Sequence, residues 1–372
     1  MRIAHIQPAD SIGGLREHLY ELKKLKDNKK HLIIFLTTPN LADVIHIEYK
    51  VISLYYSYQD LFQLETKVDE LSRILTKHKI DVIHSYHVIC DLVSIPAAVR
   101  AGITKIIRSV HGIAQVYPNI KSYGKVFFDW PDIIKEQEVY YERYVSKTIV
   151  VGKWLVSKME SYGLEKKKIV QIGNGVDIKD FNYKNNYVSN GGKVVIGFIG
   201  RLEPVKNILF LIKIVKSLIN NYGKMFEFVI QGDGFHLKDI NDLVIYAQNK
   251  GIKFEIKKTS VYRGSFWKKC DVLLFPTLME GNPRVVLEAM ASNTLIIANS
   301  IEPINEILSD ESGILLKNKI PEEYSNRIYS IINQKSKMKK LINCAAAKVK
   351  KFSLTNKLKK VDDLYSCIKH LQ

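Results

Sequence analysis

The chain has 372 residues, enough for two domains at the usual ~150 residues each. It is 46% hydrophobic, 25% charged and 10% aromatic, which excludes a wholly disordered chain. Its 56 basic and 38 acidic residues leave a formal net charge of +18, which points to an anionic partner: nucleic acid, a phosphorylated ligand or a lipid surface.

The first half alternates short β-rich runs with amphipathic stretches. Ile3 to Gln7 reads as a strand, Leu15 to Leu25 as a helix and His31 to Thr37 (HLIIFLT) as a buried strand. Leu61 to His78 has helical spacing, Asp81 to His84 is a strand, Leu92 to Ala101 is helical and Lys105 to Val110 is a strand. Lys147 to Val151 and Ile169 to Ile172 are two later strands. Repeated β-α-β predicts a parallel sheet covered by helices on both faces. Residues 182–192 (NYKNNYVSNGG) are polar and aperiodic and read as a linker. The alternation then restarts. Strands are expected at Val194 to Gly200, Phe226 to Gln231, Lys253 to Ile256, Asp271 to Phe275 and Leu295 to Ala298. Helices are expected at Ile208 to Ile219 and from about His236 to Asn249. The basic excess is +6 over residues 1–190 and +12 over 191–372. From Lys335 to Lys360 there are ten lysines and no acid, interleaved with Leu341, Ile342, Val349, Phe352 and Leu358.

Cys90, Cys270, Cys344 and Cys367 are scattered, with no C-x-x-C and no Cys/His ligand spacing, so neither structural zinc nor a disulfide framework is expected. The opening MRIAHIQ lacks the apolar core of a signal peptide, and no apolar run approaches the ~20 residues of a membrane span. A cytoplasmic protein is expected.

The motifs sit at strand ends, where open α/β sheets bind ligands. Gly13 and Gly14 follow the first strand; glycines there admit a ligand close to the backbone, and an ordinary βα turn explains them as well. Gly200 and Arg201 end a buried strand, and Lys206 lies five residues on. A guanidinium fork and a point charge suit a diphosphate. The richest segment is TLMEGNPRVVLEAM at 277–290. Pro283 suits the first position of a helix, which sets Gly281 and Asn282 at its start with free N–H groups for an anion. Glu280 precedes the helix and Glu288 lies inside it, more than a turn away, so the two carboxylates take separate roles. His111 closes another strand. His84 and His87 lack a third metal ligand and read as structural.

Taken together and in order, these segments resemble the retaining, nucleotide-sugar-dependent glycosyltransferases of the GT-B fold, family 4. The likeness runs through Gly13-Gly14, DVIHSYH at 81–87, SVHG at 109–112, IGNGVDIKDF at 172–181, GRLEPVKN at 200–207 and QGDG at 231–234. Its strongest piece is EGNPRVVLEAM at 280–290, which looks like that family's E-x7-E motif.

The resemblance implies two doubly wound Rossmann-like domains with a cleft between them. The acceptor-binding domain would be 1–185 and the nucleotide-sugar domain 193–352, with a helix at about 353–372 packing back on the first. It also implies roles. Arg201 and Lys206 would hold the donor diphosphate, Glu288 the ribose hydroxyls, and Glu280 with Gly281 and Asn282 the donor sugar and phosphate. Gly13, Gly14 and Gly200 would approach the diphosphate, and His111 would lie near the transferred sugar. No metal and no other cofactor is implied, because Arg201, Lys206 and the helix start would stabilise the leaving group. The implied partners are a UDP- or GDP-linked sugar and a glycan or polyprenyl-diphosphate-linked acceptor. With them come surface polysaccharide synthesis, O-antigen or lipopolysaccharide included, at an anionic membrane surface on the inner face of the plasma membrane. Nucleic acid is not implied. Two readings stay open beside it: a sugar-nucleotide epimerase of the same fold, and a non-catalytic basic binder. The loop NSIEP at 299–303 departs from the family's Gly-rich pattern, and Gly152-Lys153 stands where serine is frequent.

Overall fold

The structure is a computed structural model and describes residues 1–7, 21–22, 24–25, 29–36, 49–51, 64–86, 88–112, 136, 139–181, 192–258, 263–317 and 320–370. It divides into unit 1, residues 1–173 with 357–372, and unit 2, residues 174–356.

Unit 1 is built from β1 (Arg2–Gln7), β2 (Lys30–Phe35), β3 (Tyr49–Val51), α1 (Leu64–Lys77), β4 (Val82–Tyr86), α2 (Val88–Arg100), β5 (Ile106–Val110), β6 (Lys147–Val150), α3 (Lys153–Ser161) and β7 (Ile169–Gln171). All pairs are parallel, in the order β3-β2-β1-β4-β5-β6-β7. Side chains alternate across such a sheet, so each strand feeds two cores. Ala4, Ile6, Ile34, Ile83 and Ile106 face α1 and α2 through Val68, Leu71, Leu75, Val93 and Ala97. Ile3, Val82, Ile107 and Ile149 fill a second core on the other side.

Unit 2 contains β8 (Val194–Ile199), α4 (Ile208–Tyr222), β9 (Phe226–Gln231), α5 (Leu237–Asn249), β10 (Phe254–Lys257), α6 (Gly264–Lys269), β11 (Val272–Phe275), α7 (Arg284–Ala291), β12 (Leu295–Asn299), α8 (Ile304–Ile307), β13 (Ile314–Leu316), α9 (Pro321–Asn333) and α10 (Lys335–Lys348). Its parallel sheet runs β10-β9-β8-β11-β12-β13. This is the doubly wound order, and the direction of winding reverses between β8 and β11.

The final helix, α11 (Leu354–Lys369), supplies the second core of unit 1 with Val361, Leu364, Tyr365 and Ile368. It is held there by polar contacts as well. Lys357 Nζ lies 2.6 Å from Glu21 Oε2, Lys29 pairs with Asp362, and Tyr365 Oη lies 2.7 Å from His84 Nδ1.

The unit boundary departs from the expected 182–192 linker. The turn at 174–177 belongs to unit 2 because Asn174 hydrogen-bonds Asn282, and Val176 forms a parallel bridge with Ser353. Unit 2 therefore begins at Asn174 rather than at 193. Residues 182–191 lie outside the described residues.

The lysine-rich stretch also differs from a free amphipathic helix. Met338, Leu341, Ile342 and Ala345 of α10 are core residues of unit 2. Its apolar stripe is already used.

Candidate active site

Two strand ends at the reversal of unit 2, those of β8 and β11, lead into the loops that carry the charged groups. After β8, residues 200–207 fold over the sheet edge. Leu202 N–H donates to Asp233 O at 2.8 Å, and His236 N–H donates to Leu202 O at 2.9 Å. The 231–234 loop thus fastens the 200–203 loop from the side. Only glycine fits at 232, since a Cβ there would lie 2.2 Å from Gly200 O. Arg201 is left exposed, with no carboxylate partner among the described residues.

The β8–α4 loop is then tied to the loop after β11. Leu278 N–H donates to Val205 O at 2.9 Å, and Asn207 Nδ2 donates to Pro276 O at 3.1 Å. Asn207 adopts a left-handed backbone (φ 58°, ψ 44°), which asparagine tolerates and which starts α4. From the far side Asn299, at the end of β12, donates through Nδ2 to Pro276 O and Thr277 O at 2.7 and 2.8 Å. Its Oδ1 accepts the hydroxyl proton of Tyr324, whose own titration burial pushes well up.

These ties bring Lys206 and Glu280 together, with Nζ to Oε1 at 2.5 Å and side-chain exposures of 15% and 10%. The ammonium also lies 5.7 Å from the centre of the Phe275 ring. It is a mostly desolvated positive charge at the reversal, where an anion gains more from it than in open water.

Pro283 takes the N-cap of α7, with ψ 110°, and Arg284 is the first helical residue. This corrects the expected register by one position, because an extended ψ at Pro283 cannot belong to the helix. The N–H groups of Arg284 and Val285 remain outside the helix ladder, as first-turn donors must. The loop before them is braced by the 174–177 turn. Asn282 Oδ1 accepts the Asn174 N–H at 3.1 Å, and its carbonyl accepts Asn174 Nδ2 at 2.6 Å. Arg284 NH1 donates to Gly175 O at 3.3 Å.

Glu288 lies deeper, with its side chain 3% exposed. Oε1 accepts Arg263 NH1 at 2.5 Å, and Oε2 accepts the Trp267 indole N–H at 3.0 Å.

In unit 1, Gly13 and Gly14 lie outside the described residues, as does His87. His111 follows β5, half-buried, its ring 6.4 Å from that of Tyr86. His84 is part of a buried network. Its Nε2 meets Ser109 Oγ at 2.8 Å, and its Nδ1 lies 2.7 Å from both Tyr86 Oη and Tyr365 Oη. His5 links Tyr86 to His31 at 3.0 and 2.9 Å.

Of the residues singled out in the sequence, Lys206 and Glu280 are brought into contact, Arg201 is exposed and Glu288 is buried against Arg263 and Trp267. Sequence reading did not single out the residues that brace them: Asn174, Arg263, Trp267, Asn299 and Tyr324. The one available signal was the pair Arg263 and Trp267 placed one helical turn apart just before β11.

Residues 12–180 match the family described as Glycosyltransferase Family 4, and residues 179–348 match Glycosyl transferases group 1. The chain belongs to family 4 of the glycosyltransferases, enzymes of the GT-B fold. It is 24% identical to an Escherichia coli UDP-Gal:alpha-D-GlcNAc-diphosphoundecaprenol alpha-1,3-galactosyltransferase, over 98% of this chain and 96% of that one. It is 23% identical to the Staphylococcus aureus capsular polysaccharide biosynthesis glycosyltransferase CapH, over 90% of this chain and 92% of that one. Among solved structures, Anabaena HepE in complex with UDP shares the fold with a TM-score of 0.81 and 18% identity, covering 99% of this chain and all of that one.

Proposed function

We propose that this glycosyltransferase moves a sugar from a nucleoside diphosphate to a lipid-linked glycan in surface polysaccharide synthesis, with retention at the anomeric carbon. One observation carries the reading: Lys206 and Glu280 meet beside the start of α7, at the reversal point of unit 2. Cleaving a sugar–phosphate bond leaves growing negative charge on the diphosphate. A fixed ammonium, the Arg201 guanidinium and the first-turn N–H groups of α7 stabilise that charge without a divalent ion. Glu280 would hold the Lys206 ammonium in place before the donor enters and face the sugar afterwards. Glu288 would accept hydrogen bonds from the ribose hydroxyls. The roles of His111, Gly13, Gly14 and Gly200 rest on the family resemblance.

The lipid-linked acceptor is supported by the Escherichia coli relative's diphosphoundecaprenol substrate, and a nucleotide sugar by the UDP held in HepE. With an acceptor in the bilayer, a net charge of +18 favours a peripheral place on an anionic leaflet. No helix among the described residues is long and apolar enough to cross a membrane.

The test is transfer from a panel of UDP-, GDP- and TDP-sugars to a synthetic polyprenyl-diphosphate sugar in anionic vesicles, with and without EDTA. One donor turned over in excess EDTA, with the anomeric configuration kept, is the expected result. Strict dependence on added Mg²⁺ or Mn²⁺ would refute the metal-free mechanism, and no transfer from any donor would refute the assignment.

A further inference from the structure

We propose that Trp267 is a positioning residue for donor recognition: its indole N–H aims the Glu288 carboxylate at the ribose. The inference rests on the role given to Glu288 above.

A carboxylate offers about four lone-pair sites. In Glu288 one oxygen is held by Trp267 at 3.0 Å and the other by Arg263 at 2.5 Å, so each holder fixes a different oxygen. The two holders differ in kind. Arg263 is a long side chain, 17% exposed, which supplies countercharge to a buried anion. Trp267 is completely buried, and its ring lies edge-to-face on Phe266 at 4.9 Å. An indole locked in the core donates one hydrogen bond in one fixed direction. It therefore fixes where Oε2 sits, while Arg263, on a longer and partly exposed side chain, holds Oε1.

A buried tryptophan also packs, so the test must separate aiming from packing. Trp267→Phe keeps an aromatic ring and removes the donor. The probe is whichever of UDP and GDP binds more tightly, compared with its 2′-deoxy analogue. Wild type should prefer the ribonucleotide. Trp267→Phe should weaken ribonucleotide binding by about three- to tenfold, the worth of one hydrogen bond to a charged group's network, and leave the deoxy analogue within about twofold. The donor KM should rise while kcat holds. Trp267→His, which restores a ring N–H, should recover part of the preference.

Equal weakening of both nucleotides would overturn the proposal, since lost packing does that. Glu288→Ala separates the two layers. If it abolishes the preference and Trp267→Phe does not, the positioning role fails alone. If it leaves the preference intact, the ribose role fails and takes this proposal with it. Should Trp267→Phe not fold, the wild-type protein carries the test. It has three tryptophans, so ¹⁵N-indole labelling gives three signals, assignable with Trp130→Phe and Trp154→Phe. The Trp267 signal should shift more with the ribonucleotide than with the deoxy analogue, and equal shifts would reject the role.

Discussion

Lys206 and Glu280 are 74 positions apart in sequence and touch only because two loops are stitched together beneath them. Their ion pair is mostly buried, so removing one partner leaves the other charge poorly solvated and costs the fold something as well. Its value lies in placing one positive charge where a diphosphate departs. Lys206→Ala should therefore lower turnover by about 10² to 10³, or ~2.7–4 kcal/mol of barrier, in protein that still melts cooperatively, with some fall in the thermal midpoint from the Glu280 charge left behind. Steady-state kinetics beside a melting curve checks this, and turnover close to wild type in a folded variant would refute the role. Arg201, Lys206 and Glu280 were legible as candidates because each lies in a loop that follows a strand, and Glu288 because it stands eight residues after Glu280. Asn174, Asn299 and Tyr324 were not. Their side chains satisfy backbone carbonyls and amides brought from distant segments, and nothing local marks an asparagine that will do so. The 174–177 turn could be read as a turn, but not as the brace of α7.

At the scale of elements, periodicity located most strands and helices, because a doubly wound sheet buries its strands on both faces and leaves long apolar runs. β13 escaped notice. It is a three-residue edge strand, half-exposed at two positions, and offers too little pattern to read. In α10 the lysines stand between apolar residues that point inward, and Lys348 is spent on Ser309 and Asp310. Any attraction of this helix to an anionic leaflet is then purely electrostatic. Ile342→Ala should cost unit 2 about 2–5 kcal/mol, as truncating a buried isoleucine does, read from the urea midpoint. A loss below 1 kcal/mol would return the stripe to the surface.

For the whole molecule, three buried tyrosines set the alkaline limit. Burial pushes the Tyr141 hydroxyl up to about 12, and those of Tyr86 and Tyr324 are raised by burial as well. An unfolded tyrosine ionises near 10. Above that pH the unfolded chain gives up protons that the native one keeps, so stability falls as pH rises, by up to ~1.4 kcal/mol per pH unit for each residue. Burial raises the Cys90 thiol as well, and an unfolded thiol ionises near 8.5, so the urea midpoint should begin to fall above about pH 8.5 and drop further by pH 11, and Tyr324→Phe should flatten the drop above about pH 10. A flat profile in the wild-type protein would contradict the burial. The placement of α11 has a consequence in time. On the ribosome, the sheet of unit 1 is complete once β7 has emerged, but the helix that covers Ile3, Val82, Ile107 and Ile149 is made only after the whole of unit 2. At ~5–20 residues per second that interval is on the order of ten seconds or more, during which one apolar face of a finished sheet stands open to water. Nascent chains halted at residue 356 should bind a hydrophobic-seeking chaperone and yield to protease within unit 1, while chains that carry all of α11 do neither. Residues made after unit 2 are the ones that make the first unit safe to release.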